Sequence, residues 1–399
     1  MHAIWKDRYF RRYFTAFTIG NIGDWFAFFA LQLYVVHTWQ GSALAVSALF
    51  FVYFLPGAVL APFFGVWVDR LSPTWLWSIT DLISGVLTVL IIFAPSLPWV
   101  LGLLLIRSVS VAYNDPTMQR MLKCLVSEAE PLRYASGITS MAFQLCRIIG
   151  PMLGALFVAW WSIQSCLWID AASFFISAGI AVTFIKGWSV PTITDAQESV
   201  SGFWHELCEG WQYVWQHTEL RRLFLLCVPS LFALIMTEAQ FVTLLKVLAP
   251  QQPELLGWLT GVSGIASLIV GYLLTRYETL AKFYMVSVAL VLQALSYLAL
   301  GLCSVHTGLT WLVAIMLLHG AGFGLVMVLF GYLLQHFLPA DKIGRISSLS
   351  RMSNNAAMLF GAMISGFLVL SLGISVLFIL VAVIMICFVA IAAFLWRLR

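Results

Sequence analysis

Charge is the scarcest property of this chain: only 10% of its 399 residues are Asp, Glu, Lys or Arg, while 62% are hydrophobic. A soluble globular protein carries about a quarter charged residues, so this composition excludes one. The seven cysteines contain no CxxC pair, and neither a disulfide framework nor a metal site follows from them. His205-Glu206-Leu207-Cys208-Glu209 approaches the HExxH zinc pattern but lacks the second histidine. No GxxxxGK[ST] loop occurs, so no ATP site is expected. With no nucleophile and base or metal ligands converging, the chain is not expected to be an enzyme, and no cofactor or metal is called for.

What the chain does have is apolar length. Hydropathy marks about twelve segments of roughly 20 residues, enough to span a bilayer. They centre near Asp24, Leu55, Val86, Leu104, Ile148, Phe175, Ile235, Ile265, Leu290, Leu317, Leu359 and Met385. The predicted fold class is an all-α membrane protein. An even number of spans puts both ends on one side. The basic lead from His2 to Arg12 has no small-residue cleavage site and reads as the flank of an uncleaved anchor.

Positive charge supplies the orientation. Residues such as Lys6, Arg11, Arg70, Arg120, Lys123, Arg133, Arg221, Lys282, Lys342 and Arg397 fall at the termini or in even-numbered loops, whereas the odd-numbered loops carry only Lys246. The positive-inside rule then predicts cytoplasmic termini in a multi-pass inner-membrane protein. The net charge of +4 is thus a topology signal and does not point to nucleic acid. Tryptophans collect at both boundaries, Trp39, Trp99, Trp160, Trp161 and Trp311 at one and Trp5, Trp67, Trp75, Trp77, Trp188 and Trp396 at the other, as an aromatic belt does.

One long polar stretch divides the spans six and six. The predicted organisation is a six-helix bundle over 1–187, a linker over 188–219 and a second bundle over 220–399. Pro191 to Ser201 reads as flexible, while Trp204, Leu207, Trp211, Val214 and Trp215 share helical spacing opposite Glu206, Glu209 and Gln212, as in a helix lying in the membrane surface. The halves repeat: Gly65-Val66-Trp67-Val68-Asp69-Arg70 aligns with Gly271 to Arg276, and Ser136, Met141, Gly150 and Val158 align at constant spacing with Ser347, Met352, Gly361 and Val369. Two parallel six-span units suit a transporter whose bundles rock about a midplane site.

Gly65-x-x-x-Asp69-Arg70, Gly150-Pro151-Met152-Leu153-Gly154 and Arg107 in the fourth span resemble motifs of the major facilitator superfamily, and the likeness runs nearly end to end. The loop motif departs at Ser72, Pro73 and Thr74, Thr275 replaces the acid in the second half, and Val111 stands where the fourth-span motif has glycine. Asn21-Ile22-Gly23-Asp24, Gln144 to Pro151, Leu334 to Pro339 with Gly344-Arg345, and Glu219 to Arg222 resemble the branch of that family containing the enterobactin exporter and macrolide efflux pumps. The resemblance implies the major facilitator fold, proton-coupled export of an amphiphilic drug or siderophore, and a cytoplasmic gate at Gly65, Asp69, Arg70 and Arg120. It also implies close helix packing at Gly150, Pro151 and Gly154, for which ordinary small-residue contact is the alternative.

Ionised side chains within spans are expensive, about 2.5–3.5 kcal/mol for arginine at a helix centre, and mark functional candidates. Asp24 lies about eleven residues into the first span, near 16 Å deep by helical rise, at a depth comparable to that of Arg107. Asp24 is the expected proton carrier, tuned by Arg107, and a permanent structural ion pair is the alternative. Glu238 and His319 are further coupling candidates, His319 having a hydrogen-bonded neutral alternative. Asn21, Tyr34, Arg147, Asn354 and Asn355 join Asp24, Arg107 and His319 as candidate cavity residues. Asp81 and Asp170, on spans that by resemblance pack away from the cavity, are expected to pair or cap. The expected partners are a small-molecule substrate, protons and lipid, with the chain acting as a monomer. A proton-coupled importer of a metal chelate or other nutrient and a lipid or lysolipid flippase are the competing functions.

Overall fold

The computed structural model describes residues 2–70, 72–126, 128–185, 211–276, 284–337 and 354–397. Among these there are helices and no strands. The first six long helices are α1 (Arg8–Leu33), α2 (Ala43–Arg70), α3 (Pro73–Ile92), α4 (Leu97–Leu125), α5 (Ala129–Trp160) and α6 (Ile163–Ile185). After them come α7 (Thr218–Leu248), α8 (Leu255–Arg276), α9 (Tyr284–Leu302), α10 (Leu309–Phe337), α11 (Asn354–Leu372) and α12 (Ile374–Arg397). Eleven of them are long and apolar enough to cross a membrane, and the apolar part of α12, Ile374–Ala390, is shorter. Each of the segments marked by hydropathy contains one of these helices. The start of the expected surface helix, 201–210, lies outside the described residues, while 211–216 is helical with the exposed rings of Trp211 and Trp215 5.7 Å apart.

The helices are built for an oily solvent. On α3, Thr80, Asp81, Ser84 and Thr88 are buried, whereas Leu82, Val86 and Leu90 are about half exposed at four-residue spacing. In hydrocarbon, apolar side chains gain little by leaving the solvent, and polar groups must find partners inside the protein. Helix ends follow ordinary rules. The Asp7 carboxylate accepts from the backbone N–H of Tyr9 at the start of α1 (2.7 Å), Pro73 opens α3, and Gly373 ends α11 with φ of 90°. Pro116, Pro151 and Pro229 lie inside α4, α5 and α7, where each removes a backbone donor.

The chain divides into two compact units. One contains α1, the part of α2 from Val52 onward, and α3 to α6; the other contains Gln40–Phe51 with α7 to α12. In the first unit α1 packs along α5 and α6, and α3 along α4 and α6. Phe10, Tyr13, Trp77, Met121 and Phe184 form its core at the end where α1 and α3 begin, and the Tyr13 hydroxyl donates to the carbonyl of Met118 (3.2 Å). In the second unit α10 packs along α8 and α9, and α12 along α9 and α7. Buried Gln240 ties that unit together, its Nε2 lying 3.1 Å from the Ala43 carbonyl, 2.9 Å from Ser47 Oγ and 3.2 Å from Ser365 Oγ.

Candidate functional site

In the first unit an ion-paired cluster sits where α1, α3, α4 and α6 come together. Their approach depends on Gly23, because a Cβ at this position would run into Ser173 of α6. Gly150 and Gly154 do the same between α5 and α1: added Cβ atoms would lie 2.6 Å from Trp25 Cβ and 2.7 Å from the Phe29 ring. The glycine pair around Pro151 is thus the contact surface that lets α5 lie against the helix carrying Asp24.

Arg107 is the hub. Its side chain is 1% exposed, and Nη2 donates to Asp24 Oδ1 and to Asp170 Oδ2, each at 2.9 Å. Nε donates to Thr88 Oγ1 at 3.0 Å, and Thr88 Oγ1 lies 2.9 Å from Asp170 Oδ2. The guanidinium carbon stands 5.1 Å from the Phe174 ring centre, a cation–π contact. On the other side, the Tyr53 hydroxyl donates to Asp24 Oδ2 at 2.5 Å. Asp170 is sealed at 0% exposure, while Asp24 is 19% exposed. Two carboxylates therefore share one guanidinium, and of the two it is Asp24 that is the less buried.

The pairing of Asp24 with Arg107 was visible in their matched depth. Asp170 proves to be a pairing residue as read, with Arg107 as its partner. Thr88 and Tyr53 were not singled out. A depth count gives some signal for Asp170, since α4 and α6 start on the same side and Arg107 and Asp170 lie ten and seven residues into them. Nothing in the pattern of the sequence distinguishes Tyr53 from the other aromatics of the chain.

Other candidates lie elsewhere. The amide of Asn21 donates to the carbonyl of Phe17 within α1 (2.7 Å), so it satisfies its own helix. Tyr34 is buried in a wide turn ending α1, edge-on to Trp39. The Arg147 guanidinium stands 5.5 Å from the Trp25 ring centre. Arg120 is buried near the end of α4. Gly65, Asp69 and Arg70 belong to the last turns of α2, but their side chains lie outside the described residues. In the second unit, Asn354 and Asn355 are partly exposed at the start of α11, and Glu238 is half-buried on α7. His319 is held on both ring nitrogens: Nδ1 lies 2.9 Å from Ser263 Oγ and Nε2 lies 3.3 Å from the Tyr297 hydroxyl. Gly320 allows this, since a Cβ there would collide with the carbonyl of Ser263. Among the described residues no group of three or more His, Cys, Asp or Glu is placed to hold a metal ion.

This network, with a partly exposed carboxylate at its edge, lies in a chain whose relatives are transporters. The chain is 28% identical over 364 residues to the uncharacterized MFS-type transporter YfiS of Bacillus subtilis, covering 90% of this chain and 87% of that one. It is 25% identical over 357 residues to macrolide efflux protein A of Streptococcus pyogenes, covering 87% and 86%. The solved structure of the nucleoside transporter NupG superposes with a TM-score of 0.77 at 14% identity, over 98% of this chain and 100% of that one, a likeness of fold. These relatives are transporters, and nothing enzymatic is found among them. The family model for the Major Facilitator Superfamily matches residues 13–355 and 251–399, and the chain belongs to that superfamily as a multi-pass membrane transporter.

Proposed function

We propose that this transporter exports an amphiphilic small molecule in exchange for protons, by alternating access between two six-helix bundles, with Asp24 as the proton carrier. The observation that carries the reading is the sharing of Arg107 between a sealed and a partly exposed carboxylate. With both acids ionised, the group of two carboxylates and one guanidinium has a net charge of −1. One proton on Asp24 brings it to neutrality and leaves Arg107 still paired with Asp170, so no bare ion is created in the bundle. Without Asp170, protonating Asp24 would strand a buried guanidinium, which cannot shed its charge. Tyr53 fits either state, because a hydroxyl donates to a carboxylate and accepts from an acid.

Export, in place of import, is supported by the relative named a macrolide efflux protein. The basic residues of the termini and even-numbered loops support cytoplasmic ends in an inner membrane. His319, with hydroxyl partners on both nitrogens, serves as a neutral packing group. The test is flux in sealed vesicles with an imposed pH gradient and a panel of cationic dyes, macrolides and siderophores. Movement of a compound against its gradient, towards the more acidic compartment, supports the reading. Cargo that moves together with protons, or without regard to the gradient, contradicts it.

A further inference from the structure

The first unit contains a second polar layer that the ion network does not use. Asp81 on α3, Asn114 on α4 and Ser177 on α6 each lie seven positions from Thr88, Arg107 and Asp170 on the same three helices. Seven residues are about two turns, so the layer sits about 10 Å along the bundle, towards the side of the α2–α3 connection. All three helices shift in the same sense, because α3 begins on that side while α4 and α6 end there.

Asp81 is 1% exposed. Its Oδ1 accepts from Asn114 Nδ2 at 2.6 Å, and its Oδ2 accepts from Trp77 Nε1 at 2.9 Å. Trp77 Nε1 also reaches Ser177 Oγ at 3.1 Å. These neighbours are all neutral. Tyr13 of α1 stands edge-on to Trp77 with its hydroxyl engaged on Met118, the charges of Arg107 and Asp170 are one layer away, and Arg120 lies six residues beyond Asn114 on α4. Among the described residues no ion pair forms at Asp81, and a buried carboxylate without a cation is strongly disfavoured in a bundle surrounded by hydrocarbon.

A further atom is out of balance: Asn114 Oδ1 is buried with no partner among the described residues. The two ends of a carboxamide are interchangeable by rotation, and their assignment follows from the hydrogen bonds available. If Asp81 carries a proton, turning the Asn114 amide over lets the acid O–H donate to Oδ1, with Nδ2 taking the place that Oδ1 leaves. If Asp81 is ionised, the arrangement with Nδ2 donating serves it. The pair is therefore matched to both protonation states at one heavy-atom separation.

We propose that Asp81, with Asn114 as its reporting partner, is a second acid–base site of this transporter, holding a proton at rest and releasing it at alkaline pH. On release the Asp81 O–H bond breaks, the electron pair stays on the carboxylate, the proton passes to water, and the Asn114 amide turns its N–H towards the new charge. The site stands on its own geometry and does not depend on Asp24 being the carrier. It gives the bundle a second titratable position on the three helices that hold Arg107.

Infrared difference spectra of the purified full chain, recorded between neutral and alkaline pH, test this with carbonyl-labelled aspartate. A protonated-carboxyl band that shifts with the label and disappears at alkaline pH is expected in the native protein, lost in Asp81→Asn and retained in Asp24→Asn. In Asn114→Leu the band should persist at a changed frequency, a test that stands even if Asp81→Asn fails to fold. A band of full size in Asp81→Asn, no protonated aspartate band in the native protein, or a band unmoved by Asn114→Leu would each overturn the proposal. Loss of the band in Asp24→Asn alone would also overturn it, while leaving the Asp24 reading intact.

Discussion

Arg107 and Asp170 form an ion pair that is closed to solvent at both ends, 2.9 Å between Nη2 and Oδ2 with side-chain exposures of 1% and 0%. Asp24 joins this pair from α1 on the same nitrogen and is the member that reaches outward. A sealed acid behind a partly exposed one gives the network its asymmetry, and the predictions follow from removing each part in turn.

Removing the permanent counter-ion shifts the working pH. In Asp170→Asn the guanidinium has Asp24 as its remaining acid, and its charge is no longer divided between two carboxylates. The midpoint of the transport–pH profile in proteoliposomes should move in the acid direction by about one unit, equal to about 1.4 kcal/mol. A midpoint that stays in place would mean that Arg107 does not divide its charge between the two acids.

Tyr53→Phe should move the same midpoint the other way. The hydroxyl donates to Asp24 Oδ2, and its loss deprives the ionised form of a charge-assisted hydrogen bond worth about 1.5–3 kcal/mol at most. The profile should be displaced to higher pH. The opposed signs of Tyr53→Phe and Asp170→Asn separate a specific effect from general damage.

Truncating the hub is a stability experiment. Arg107→Leu leaves Asp170 buried without a cation, and breaking a buried pair from one side costs about 3–5 kcal/mol. Thermal unfolding in detergent should show a large drop for Arg107→Leu and partial recovery in Arg107→Leu with Asp170→Asn. A double variant no better than the single one would place the loss in packing against Phe174 instead of in the orphaned acid.

Close approach of α1 to α6 rests on one position. Gly23→Val puts branched carbon where Ser173 already stands, with the backbone of Asp170 3.2 Å from the position of an added Cβ. The helices must separate, and the reach from Arg107 to Asp24 lengthens with them. Folded yield should fall, and transport by the surviving protein should lose its pH dependence. In His319→Gln, by contrast, the pH midpoint should stay where it is, since both ring nitrogens are occupied by neutral hydroxyls.

Much of this could be read before any coordinates. Lipid imposes a length and an apolarity on each span, so hydropathy finds the helices, and the cost of an intramembrane ion singles out Asp24 and Arg107. Gly150 and Gly154 were legible too, because small residues four apart present a flat helix face. The partners were harder to see. Tyr53 and Thr88 are ordinary residues whose roles arise from which helices touch, and hydropathy says nothing of adjacency. Asn21 was picked for its polarity, which did not reveal that its amide N–H is engaged on the carbonyl one turn back. The second layer at Asp81 emerged only when α3, α4 and α6 were seen to share one interface, which made the common seven-residue offset meaningful.

The most direct measurement is proton-driven transport by Asp24→Asn in proteoliposomes, with folded yield matched to the native protein. The substitution keeps size and hydrogen bonding and removes the ability to exchange a proton. Transport driven by a pH gradient should be lost, while passive exchange of substrate between the two sides persists. Gradient-driven accumulation at the native level in Asp24→Asn would contradict a carrier role for this residue and the coupling scheme built on it.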